Sequence, residues 1–193
     1  LSQCMGKHGG FDHNIQTLRI VTLIENKYYE FYGLNLTIET LDGLIKHNGP
    51  VKNFTDFKKI FRKDQFRNKI VFNTFPSLEA QVAAISDDIA YNNHDLEDGL
   101  RAGLFSFKKI VSMPHVSKLI NRHVKNIKNF RKEIIISQIV RDLINLMVVD
   151  VINTTNKNLK LCSPQSINDI YKQDRLIVDF SVKMKKIDKE IKE

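Results

Sequence analysis

The chain has 193 residues, with 30 Lys and Arg against 22 Asp and Glu and a net charge of +8. That length is enough for a real hydrophobic core, and the charge favours an anionic partner such as a nucleotide, a nucleic acid or an acidic surface, or else a solvated lysine-rich face. Cys4 and Cys162 are too few for a disulfide framework and lack metal-ligand spacing, so a reduced cytoplasm is the expected setting.

Glycine (8) and proline (4) are scarce and aliphatic residues plentiful, which suits an all-α protein. The Gly9-Gly10 pair breaks the chain before a helix expected over 11–27. Asp12 suits its first turn, and Ile15, Leu18, Val21 and Ile24 give it a core face. Thr37 is the expected N-cap of a second helix bearing Ile38, Leu41, Leu44 and Ile45. Asn48-Gly49-Pro50 ends it and leaves Lys46 and His47 in its last turn. From 53 to 69 the chain is basic and rich in phenylalanine: Phe54, Phe57, Phe61 and Phe66 alternate with Lys58, Lys59, Arg62, Lys63, Arg67 and Lys69. Such a stretch serves either nucleic-acid binding or an amphipathic helix with its rings turned to the core.

Pro76-Ser77 opens a helix expected to reach Asp98. At about 100° per residue, Leu78, Val82, Ile85 and Ile89 share one stripe. Ala80, Ala83, Ala84, Asp87 and Tyr91 share the other. Asp87, Tyr91 and Asp95 climb one side at four-residue steps. Small residues around an acid point to close packing and a buried carboxylate, which needs protons, a cation or a metal. Hydrogen bonds from a neighbouring helix would satisfy it equally well. Further on, Pro114 separates two helical pieces, and 131–155 reads as a long helix, apolar over most of its girth. It contains the longest apolar stretch, 143–152, which Asn145 and Asp150 interrupt and which is too short to span a membrane. Ser166 to Asp169 resembles a capping box with Asp in place of Glu, and Met184, Ile187 and Ile191 mark a last amphipathic helix.

Common catalytic signatures are missing: there is no phosphate loop, no CxxC pair, no HExxH and no GxSxG. His94-Asp95 is an HD dipeptide, but His94 is expected to be an exposed residue near a fraying helix end. The longer blocks are more specific. GGFDHNIQTLRIVTLIE (9–25), YGLNLTIETLDGLIKHNGP (32–50) and QVAAISDDIAYNNHDLEDGLRAGL (81–104), in this order, closely resemble the deoxyguanosine-triphosphatase-like triphosphohydrolases of the HD-domain superfamily. The second half, through RLIVDFSVKM (175–184), resembles the helical region associated with that domain.

The resemblance implies an incomplete HD-type helical bundle over 1–110 and an associated helical region over 111–193. It assigns Asp87 to a divalent metal of Mg or Mn type, Tyr91 and Asp95 to the deoxyribose, Asn14 and Lys46 to the substrate with Lys46 on phosphate oxygens, and His13 to the active-site wall with a proton-transfer role. The family's other metal ligands, two histidines and the aspartate of its own HD pair, match no residue of this chain. The metal is therefore expected not to bind tightly and the chain alone to have little activity. The implied reaction is hydrolysis of a dNTP to deoxynucleoside and triphosphate. The alternatives are a non-catalytic nucleotide- or nucleic-acid-binding protein, a homo-oligomer, or a subunit that complements a separate N-terminal half. No membrane partner is expected.

Overall fold

The computed structural model describes all residues except 1, 9, 53–56, 58–68, 118–119, 122–129 and 193. The basic Phe-rich stretch therefore falls mostly outside the described residues. Among the described residues the chain is helical, with one isolated bridge between Asn26 and Gly33. The all-α expectation holds. No helix among them is long and apolar enough to cross a membrane. The chain divides into two compact units, 1–82 with 164–176 and 83–163 with 177–193.

The first unit begins with a short helix, α1 (Ser2–Met5). Helix α2 (His13–Arg19) is started by Asp12, whose carboxylate accepts from the Ile15 amide at 3.0 Å. It does not run on to residue 27 as expected. It widens into a π turn over Ile20–Ile24, and the cause is a competing donor. The Leu34 amide takes the Val21 carbonyl at 2.8 Å, so the Glu25 amide reaches back one residue further, to Ile20, at 3.0 Å. Gly33 makes this return possible. Its φ is +71°, and a Cβ there would run into the Val21 carbonyl oxygen. Between the two limbs of this loop Tyr28, Tyr29 and Tyr32 stand exposed.

Helix α3 (Ile38–Lys46) follows, with the Thr37 hydroxyl accepting from the Thr40 amide at 3.3 Å as its N-cap. Gly49 closes it at φ +98° and donates to the Lys46 carbonyl at 2.7 Å. Leu18 from α2 and Leu41 and Ile45 from α3 form the core of this unit with Phe57, Ile70 and Phe72. Phe57 is the described phenylalanine of its segment, and it is buried. Helix α4 (Leu78–Ala102) starts in this unit, where the Ser77 hydroxyl accepts from the Ala80 amide at 3.3 Å. A Cβ on Gly43 would lie 3.0 Å from that of Ala80, so α3 and the first turn of α4 approach closely.

The second unit takes the rest of α4, then α5 (Phe107–Val111) and the 31-residue helix α6 (Lys132–Cys162). Helix α6 extends beyond the expected end at 155 and stops where Ser163 adopts a left-handed φ of +40°. It buries Ile135, Ile136, Ile139, Val140, Leu143, Met147 and Val151. From α4 the core receives Ile89, Leu96 and Leu100. The expected stripe is corrected here: Val82 is 49% exposed, and the buried line continues past Ile89 through Asn92 and Asn93. Asn92 donates to Asp188 at 3.0 Å, and Asn93 to the Ile89 carbonyl at 2.8 Å. Helix α8 (Val182–Lys192) is capped by Ser181, which donates to Asp150 at 2.7 Å and accepts from the Met184 amide at 3.1 Å. In the first unit, α7 (Ile167–Tyr171) carries the predicted capping box of Ser166 and Asp169.

Candidate functional site

The residues singled out from sequence fall in both units. His13, Asn14 and Lys46 belong to the first, and Asp87, Tyr91 and Asp95 to the second.

Lys46 ends α3 with none of its surface exposed. Its ammonium lies 2.6 Å from Asp42 Oδ1, one helical turn back, and donates to the Thr74 hydroxyl at 2.9 Å. The Thr74 proton is committed to the Val71 carbonyl at 2.6 Å, so this hydroxyl offers Lys46 a lone pair. The Tyr171 ring covers the ammonium at 5.0 Å. Asp42 is also buried, and its Oδ2 has no hydrogen-bond partner among the described residues. Burial pushes its carboxyl above the ordinary range, against the opposing pull of Lys46. Burial also raises the Tyr171 phenol, reinforced by the charges of Asp42, Glu39 and Glu79.

His13 opens α2 at the surface and meets His47, the C-cap of α3, edge to face at 5.7 Å between centroids. His47 Nδ1 lies 2.8 Å from the Leu44 carbonyl. Asn14, next along α2, is half-buried, and its Oδ1 has no partner among the described residues. Sequence reasoning pointed to Lys46 but missed the groups that hold it. Asp42 was visible as an i, i+4 partner; Thr74 and Tyr171 come together with it only through the fold.

Asp87, Tyr91 and Asp95 do rise along one face of α4, and that face is exposed. Tyr91 is 65% exposed. Asp87, which periodicity suggested as a buried carboxylate, is exposed among the described residues. Ala83 and Ala90 are exposed beside it. His94 is exposed as expected, but it lies inside the helix, which continues two turns to Ala102. Arg101 in that last turn pairs with Glu97 at 2.6 Å and donates to Ser137 at 2.9 Å, which ties the helix end to α6.

Three relatives share long stretches with this chain. A deoxyguanosinetriphosphate triphosphohydrolase-like protein of Pelagibacter ubique (strain HTCC1062) is 50% identical over 192 residues, all of this chain and 52% of the relative. Proteins of the same name from Parvibaculum lavamentivorans and Caulobacter sp. (strain K31) are each 42% identical over 95% of this chain, and 48% and 47% of their own lengths are covered. Along its whole length the chain is similar to part of the deoxyguanosinetriphosphate triphosphohydrolase-like proteins. It spans about half the length of the curated relatives it matches. No family model matches it.

The sequence resemblance implies a divalent metal at Asp87. Among the described residues no group of three or more His, Cys, Asp and Glu side chains is placed to hold one. Asp87 is a single solvated carboxylate, which supplies one ligand and cannot by itself fix a coordination geometry. Around Lys46 and His13 the described residues offer a cation, a phenol, hydroxyl and amide groups, and two imidazoles.

Proposed function

We propose that this chain forms the nucleotide-binding part of a dNTP triphosphohydrolase-type protein of the HD-domain class, and that by itself it binds substrate better than it turns it over. The observation that carries the reading is identity of 50% along the whole chain to a relative named for hydrolysis of deoxyguanosine triphosphate. In the reaction so named, water adds to the α-phosphorus, the bond from phosphorus to the 5′-oxygen breaks, and that oxygen takes a proton. Triphosphate and deoxynucleoside leave.

In this reading Lys46 is the phosphate-facing cation and His13 stands at the wall where a proton passes. Asn14 contacts substrate, and Tyr91 and Asp95 face the sugar. Asp87 contributes one oxygen to a divalent metal of Mg or Mn type. The net charge of +8 suits a polyanionic ligand. Cytoplasmic location accords with nucleotide chemistry.

The test is to purify the chain and assay triphosphate release from dGTP with Mg or Mn, alongside equilibrium binding of dGTP. Binding that weakens in Lys46→Ala and Tyr91→Phe, with little release, is the expected result. Metal-dependent release that Asp87→Ala abolishes would show a competent enzyme instead. No dGTP binding at all would remove the reading.

A second form of the same function has this chain complete a site with the part of such proteins that it does not match. Mixing it with the unmatched half of such a relative should then restore release.

A further inference from the structure

The neighbourhood of Lys46 holds a second carboxylate role that the family resemblance does not supply. The ammonium has three N–H bonds and, among the described residues, three neighbours. Thr74 accepts one through a fixed lone pair, the Tyr171 ring faces the cation, and Asp42 takes the closest place. A lysine with no exposed surface cannot meet a phosphate in this arrangement. Something has to leave, and the least well held neighbour is Asp42. One of its oxygens is paired and the other is buried without a partner among the described residues, so its desolvation is only half compensated. A phosphate group brings several acceptor oxygens and more charge. Thr74 and Tyr171 are each partly exposed, so solvent lies one side chain from the ammonium.

We propose that Asp42 is an exchangeable counter-ion: triphosphate oxygens take Lys46 from it, and the displaced carboxyl takes up a proton. This rests on reading Lys46 as the phosphate-facing cation. The balance is simple. One ion pair is replaced by another, no covalent bond changes, and a proton from water neutralises the carboxylate left behind. The charged and titratable groups around Asp42 make its neutral form the favoured one after exchange. Glu39 and Lys46 lie on its own helix and Tyr171 on α7, where Glu79 of α4 also acts on the phenol; with Lys46 withdrawn, the negative charge of Glu39 remains on Asp42 among the described residues. Asp42 thus acts on Lys46 as a positioning residue that keeps the cation in place, and masked, until an anion arrives.

The experiment uses the full chain and inorganic triphosphate as the probe, with binding measured by titration calorimetry in two buffers of different ionisation enthalpy. Wild type, Asp42→Asn, Lys46→Ala and the double variant are compared. The proposal expects Asp42→Asn to bind triphosphate about tenfold more tightly than wild type near neutral pH, a gap of one charge-assisted contact. The gap should close as the pH falls and wild-type Asp42 protonates. Lys46→Ala should abolish the gain. Wild type should take up close to one proton on binding, whereas a phosphate that meets a free cation releases protons.

Equal affinities of wild type and Asp42→Asn, both lost in Lys46→Ala, would leave Lys46 as the anion site and overturn the exchange. Binding that ignores Lys46, or no binding by any variant, would remove the reading of Lys46 and the exchange together. Should Asp42→Asn fail to fold, the proton count on wild type decides alone: release or no change overturns the proposal.

Discussion

At Lys46 both the alkyl stem and the charge are out of water, so the side chain is stable only while its partners remain. Replacing it with Met leaves Asp42 buried without its cation. We expect Lys46→Met to cost about 3 kcal/mol in chemical denaturation, and Asp42→Leu on that background to recover most of the loss. Equal and additive costs would show that the two groups do not interact. The pair was half legible in the sequence, since residues 42 and 46 share a helix face. Thr74, 28 residues from Lys46, was not, because only the fold brings it there. Asp87 shows the opposite failure. Its neighbours Ala80, Ala83 and Ala84 have helical spacing and little bulk, and the sequence pattern alone reads as a close-packed face. In the described structure Asp87 and Ala83 are exposed, and Ala80 and Ala84 are half-buried.

Among the elements, the helix starts were the most legible features. Asp12, Thr37, Ser77 and the Ser166–Asp169 box each cap the helix they precede, because a short oxygen-bearing side chain beside free amides is a local interaction that needs no tertiary context. Thr37→Ala should cost about 1 kcal/mol by thermal melting, and Thr37→Ser almost nothing. The π turn at Ile20–Ile24 was not legible. It arises because a backbone amide ten or more residues on claims a carbonyl that an α-helix would have kept, and no side-chain pattern announces that. Its weak point is Gly33. An alanine there meets both a left-handed φ and the Val21 carbonyl, so Gly33→Ala should destabilise the protein by about 2 kcal/mol or more. An unchanged melting temperature would mean that the loop can leave α2 without cost. The end of α6 was misjudged for a related reason: Asn158 holds its last turns by donating to the Ile177 carbonyl at 2.8 Å, a contact invisible at sequence level.

For the molecule as a whole, acid acts on carboxylates in opposite directions. Asp169 is held below its ordinary value of 3.8 by hydrogen bonds from Gln165 and Ser166. At Glu190 burial pushes upward, but hydrogen bonds from the His115 side chain and backbone outweigh it and leave the carboxyl lowered. Both contribute stability above the ordinary carboxylate range and lose it as the pH falls through their lowered values. Asp42 has the reverse sign. Its raised value means that ionisation costs stability at neutral pH, and that cost disappears below the ordinary 3.8. Melting curves from neutral pH down to about pH 3 should therefore show Asp169→Asn with a shallower acid loss than wild type and Asp42→Asn with a steeper one. Parallel profiles for all three would contradict the assignment. The ring that covers Lys46 also gives the molecule an optical probe. The chain has five tyrosines and no tryptophan, so near-ultraviolet absorbance comes chiefly from phenols. Tyr171 ionises later than a free phenol because it is buried and because Asp42, Glu39 and Glu79 surround it with negative charge. An alkaline absorbance titration thus carries a delayed component, and the part of the delay that Asp42→Asn removes reads the charge on Asp42 from outside, with no label attached.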